Sequence, residues 1–180
     1  MKKTKKYLAL SLLATVIVLL MVSCPNGTGG GRKTNPKTTP TKSSDDDFAA
    51  VTNFSQLNGT WKYSITETQT AAGVTAKATI DITLIINATA KTSSSIIKET
   101  YEYSGPNADA AWPAIKDEHE ADGYTCNDST KTATLTETEG PNTLTDPQIA
   151  NIVSETQINK SGNKIRFKVT DFGFVVFTKQ

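Results

Sequence analysis

The chain has 180 residues, and its 19 basic and 18 acidic side chains leave a net charge of only +1. That balance is not the basic surplus of a nucleic-acid binder, and no run of glycines builds a phosphate-binding loop within the region that could fold. Two cysteines and one histidine leave little room for a disulfide framework or a histidine-based metal site.

The first six residues, Met1-Lys2-Lys3-Thr4-Lys5-Lys6, are strongly basic, and no acidic residue occurs before Asp45. Tyr7 to Val22 carries no charge and is at the short limit for crossing a hydrocarbon core about 30 Å thick. The order basic, apolar, small residue is that of an export signal. At its end, Leu20-Met21-Val22-Ser23-Cys24 resembles the lipobox of bacterial lipoproteins, with Met21 three residues before the cysteine and Leu20 one further back. The resemblance implies cleavage after Ser23, acylation of Cys24 and a membrane anchor on the extracytoplasmic face of a bacterial envelope. Two or more acyl chains anchor stably, at about 0.8 kcal/mol per buried methylene. Removal of residues 1–23 takes away four lysines and leaves 15 basic against 18 acidic side chains, a net charge of −3. With Cys24 acylated, Cys126 has no intrachain partner and reads as a small buried apolar residue.

Residues 24–47 are dominated by Gly, Pro, Thr, Ser, Asn and Lys and hold no large apolar side chain. The composition predicts a disordered tether with a reach of roughly 25 Å, and the Asp45–Asp47 run reads as its solvated end. Residues 48–180 have the size of one domain.

Within that domain the dominant pattern has period two. Ala78, Ile80, Ile82, Leu84 and Ile86 alternate with mostly polar neighbours, as do Trp61, Tyr63 and Ile65, then Ala133 and Leu135, then Ile165, Phe167 and Val169. Such alternation predicts antiparallel strands with one face on a core, and the abundant threonines suit the wet face. Between turn signals at Ala72-Gly73, Ser104-Gly105-Pro106, Gly140-Pro141-Asn142, Ser161-Gly162-Asn163 and Asp171-Phe172-Gly173, strands are expected near 60–68, 76–87, 95–104, 123–127, 131–139, 152–159, 163–170 and 173–179. One short helix is expected from Asp109 to Gly123, with Pro113 in its first turn.

Gly59-x-Trp61, placed just before the first strand, resembles the G-x-W signature of lipocalins, and the closing stretch Ser161–Lys179 is similar to the last hairpin of bacterial lipocalin-like domains. The resemblance implies an all-β, antiparallel, up-and-down barrel of about eight strands. In it Trp61 would close the floor and Lys179, standing where the family commonly has arginine, would lie over the ring. A small apolar or amphipathic ligand would then sit among Ile80, Ile82, Leu84 and Ile86, with Tyr101 and Tyr103 offering hydroxyls at the rim. The alternative is a packed barrel whose loops meet an envelope or host macromolecule, as an adhesin, assembly factor or inhibitor would.

No catalytic centre is expected. His119 lies in the run Asp117-Glu118-His119-Glu120-Ala121-Asp122, whose consecutive helical side chains diverge and so do not converge on one ion, and it reads as part of a solvated acidic face. No serine or cysteine partner for it is legible, and no cofactor or metal is implied.

Overall fold

The computed structural model describes residues 47–169 and 173–180. The predicted signal peptide, Cys24 and the tether up to residue 46 lie outside the described residues, as do Asp171 and Phe172 of one predicted turn. The described chain is mostly antiparallel β-sheet, with nine strands and two α-helices in two compact units.

One unit comprises residues 58–144 and 177–180. Its backbone is a meander of long strands: β2 (Gly59–Ala71), β3 (Val74–Asn87) and β4 (Thr92–Ser104). Thirteen residue pairs join β2 to β3, from Gly59↔Ile86 to Ala71↔Val74. The strand ladder continues from β4 to β6 (Thr132–Thr143) and then to β5 (Thr125–Asn127), a three-residue strand that pairs Thr132–Thr134. On the other side β2 receives the end of β9 (Gly173–Lys179) through Trp61↔Lys179 and Lys62↔Thr178. Alternation works as the sequence predicts. Ile80, Ile82, Leu84 and Ile86 are buried, and Lys77, Asp81 and Asn87 on the opposite face are exposed.

The two-residue turn Ala72-Gly73 has positive φ at both positions, 52° and 77°, which matches the twist of the strands it joins. Opposite it, Gly105 (φ 111°) allows a close approach, because a Cβ there would stand 2.5 Å from the Gly73 carbonyl oxygen. Helix α1 (Ala108–Ala121) starts at this corner. Asn107 gives its backbone N–H to Gly73 O at 3.1 Å and its Nδ2 to Ala72 O at 2.8 Å.

The other unit holds residues 47–57 and 145–176. Here β1 (Phe48–Ala50) pairs β7 (Thr156–Asn159), and β7 pairs β8 (Lys164–Val169). Val51, Phe54, Leu57, Ile165 and Val175 are its buried apolar residues. Asn159 holds the β7–β8 turn by accepting from the backbone N–H groups of Asn163 at 3.0 Å and Lys164 at 2.8 Å.

Two expectations are corrected. The predicted barrel is not closed: the free side of β6 carries the short β5 instead of a long neighbouring strand, so the run β9-β2-β3-β4-β6-β5 ends there. The predicted strand at 152–159 is a strand only from Thr156. Residues before it form a second helix, α2 (Asp146–Glu155), started by Pro147 and by Gln148 Oε1, which accepts from the Thr145 backbone N–H at 2.8 Å. Short strand β1 has no counterpart among the predicted elements.

Candidate functional site

The Gly59–Trp61–Lys179 set comes together at one end of the β2 ladder. Trp61 is fully buried, and Lys179, its cross-strand partner, places Nζ 5.2 Å from the centre of the indole ring. Gly59 makes this possible. Its φ is 133°, and a Cβ on it would stand 2.8 Å from Lys179 Cε. Further along the same two strands the rings of Tyr63 and Phe177 lie with centroids 5.5 Å apart. Burial, and secondarily the charge of Glu67, pushes the Tyr63 phenol up from its ordinary pKa. The lysine stem covers the indole while its charge stays wet, an arrangement suited to sealing an end of the core.

The residues proposed to line a ligand cavity occupy the inner face of the same unit. Ile80, Ile82, Leu84 and Ile86 are 0–5% exposed, as is Ile97 beside Ile82. Ser93 and Ser95, paired with Ile86 and Leu84, add two buried hydroxyls, and Ser93 Oγ has no hydrogen-bond partner among the described residues.

Tyr101 and Tyr103 do not stand at a barrel mouth. They lie on β4 beneath α1, in a polar-aromatic cluster with Glu99, Trp112, His119 and Tyr124. Tyr103 Oη and His119 Nε2 are 2.7 Å apart, and the Tyr124 hydroxyl donates to Glu99 Oε2 at 2.5 Å. Three tyrosine rings surround the imidazole, with centroids 4.9 Å (Tyr101), 5.7 Å (Tyr103) and 4.8 Å (Tyr124) away. The helix is tied down again at Trp112, whose Nε1 donates to Asp128 Oδ1 at 2.8 Å, and at Lys116, whose Nζ donates to Asp128 Oδ2 at 3.0 Å.

This overturns the reading of His119 as a solvent-facing residue. The flanking acids Asp117, Glu118, Glu120 and Asp122 are exposed, as expected, but the imidazole between them is only 9% exposed. Burial lowers its pKa, and the charges of Asp122 and Glu118 act in the opposite sense. The Tyr124 phenol is pushed far up, first by burial and then by its hydrogen bond to Glu99. Cys126, half-buried, is held as the thiol chiefly by burial. These directions suit structural hydrogen bonding: the histidine is kept neutral, and the tyrosine and cysteine are kept protonated. Neither phenol nor thiol is activated as a nucleophile. Asp128 is drawn down by the Trp112 and Lys116 hydrogen bonds and remains a carboxylate acceptor.

Among the described residues no three His, Cys, Asp or Glu side chains group as metal ligands, and no helix is long and apolar enough to cross a membrane. Comparison with protein-family models, curated proteins and solved structures finds no match.

Proposed function

We infer that this chain is an exported bacterial lipoprotein, acylated at Cys24, whose lipocalin-related folded part recognises an envelope or host macromolecule with its surface. It is neither an enzyme nor the carrier of an enclosed ligand in this reading. The observation that carries it is the burial of Ile80, Ile82, Leu84 and Ile86 to 0–5% exposure. A cavity of the roughly 300–1,000 Å³ that small apolar ligands occupy would leave its lining open to water-sized molecules. Tyr101 and Tyr103 further support the reading, because both are engaged beneath α1 instead of being turned toward a cavity. The relation to lipocalins rests on Gly59, Trp61 and Lys179, and on the pairing of the last strand with the strand that carries the motif. The lipid anchor rests on the lipobox-like sequence before Cys24.

Native mass spectrometry of the protein purified from its envelope tests this function. The expected result is a folded part without a bound small molecule beyond the acyl groups on Cys24. A stoichiometric apolar adduct that survives removal of residues 1–46 would return the protein to the ligand carriers.

A further inference from the structure

Among the described residues, the far half of β2 is an open sheet edge. In a two-residue hairpin the closing pair, here Ala71–Val74, is a hydrogen-bonded one. Odd-numbered residues of β2 therefore exchange hydrogen bonds with β3, and even-numbered residues turn their N–H and C=O groups to the opposite side. The chain end agrees with this parity, since Gln180 N donates to Thr60 O at 2.9 Å on that side. Pairing with β9 reaches only Lys62↔Thr178. Beyond it Thr66, Thr68 and Thr70 direct their backbone groups away from β3, and no strand among the described residues pairs with them. Residues 66–72 are exposed throughout.

Open edges are commonly protected by Lys, Pro, bulges or brevity. The other edges here follow that rule: β1 and β5 are three residues long, and the part of β6 beyond β5 carries Glu137, Glu139 and Pro141. Tyr63–Ala71 has no lysine, arginine or proline.

Its sequence fits a second copy of itself. In an antiparallel pair centred on Thr68, Thr68 faces Thr68 of the second copy, Thr66 faces Thr70, Glu67 faces Gln69 and Ile65 faces Ala71. Every outward N–H and C=O of Thr66, Thr68 and Thr70 then finds a partner, each carboxylate meets an amide, and the threonines share one face. A pairing centred on Glu67 would place two carboxylates directly opposite, which is unfavourable. We propose that two copies of this chain associate through β2, edge to edge and in this register, giving a closed two-fold dimer.

Sedimentation of the full-length chain in mild detergent, over a concentration series, reads the association. The expected result is a reversible monomer–dimer equilibrium that Thr68→Pro weakens about tenfold or more, because the proline removes an edge donor. That N–H serves no bond within the monomer, so the circular dichroism of the variant should be unchanged. If Thr68→Pro does not fold, Thr68→Lys tests the same point by opposing two like charges. The register is read by cysteine pairing in a Cys126→Ala background. Glu67→Cys and Gln69→Cys chains should form an intermolecular disulfide when mixed, and neither should do so alone beyond the Cys126→Ala parent. Sedimentation as a monomer at all concentrations, or an association that both Thr68 variants leave unchanged, would overturn the proposal. So would absence of the mixed disulfide.

Discussion

At Gly59 a single missing methyl group decides whether Lys179 can reach Trp61. The backbone there is at φ 133°, a region that side-chain-bearing residues avoid, and the space a Cβ would need is taken by the lysine stem. Gly59→Ala should therefore cost about 1–3 kcal/mol of stability, measured by urea unfolding. Trp61→Ala should cost roughly 3–5 kcal/mol, as for a fully buried aromatic. Lys179→Ala should cost only about 0.5–1 kcal/mol, because its charge is largely in water. If the lysine and tryptophan act together, the double variant should lose less than the two single losses added. All three residues were singled out in the sequence through their resemblance to a known motif. His119 was not, because four acids in the surrounding hexapeptide masked it. Helical spacing held the missing signal: Ala108, Trp112, Ile115 and His119 fall at i, i+4, i+7 and i+11, on one stripe of α1.

On the scale of the element, α1 is held to the sheet by that stripe and by hydrogen bonds at both ends. The His119–Tyr103 contact has a definite pH sign. Burial depresses the folded-state pKa of His119 below its ordinary value near 6.5, so the unfolded chain binds the proton more readily. The contribution is complete above about pH 6.5 and falls as pH drops below that value toward the depressed pKa, with a slope of at most about 1.4 kcal/mol per pH unit. Thermal unfolding between pH 7.5 and 5 should show this loss, and His119→Gln should flatten it. At neutral pH His119→Ala should destabilise by about 1–3 kcal/mol, since it leaves the Tyr103 hydroxyl without the imidazole. A change under about 0.5 kcal/mol would return His119 to the exposed face that its neighbours imply.

The strands themselves were largely readable, because alternation and turn residues carry local information. Strand β2 runs on to Ala71, and β3 and β4 begin early, at Val74 and Thr92, because the small and polar residues there do not mark the boundary. Helix α2 was hidden because its Ile152 and Val153, together with Ile158 of β7, read as one strand over 152–159 when Pro147 and the Thr145–Gln148 cap are not weighed. Cys126 was expected to be buried and is half-buried, on a strand of only three residues.

For the whole molecule, the step from alternating strands to a closed barrel was the one that failed. Alternation fixes which face of a strand is buried but not which strand lies beside it. The neighbour of β6 is chosen by the turn after Asn127, which folds β5 back on Thr132–Thr134. At this scale the proposed lipid anchor gives a direct prediction. Cys24→Ala should abolish incorporation of labelled fatty acid and leave uncleaved precursor in the membrane, whereas normal maturation of that variant would remove the anchor from the account. In the proposed function the folded part is packed and acts through its surface. Titration of a soluble form lacking residues 1–46 with a fluorescent fatty-acid analogue tests it most directly. A packed interior should give no saturable binding and no added stability. One-to-one binding that Ile82→Trp abolishes while the fold is retained, or a stabilisation near 2.7 kcal/mol at a hundredfold excess over the dissociation constant, would contradict it.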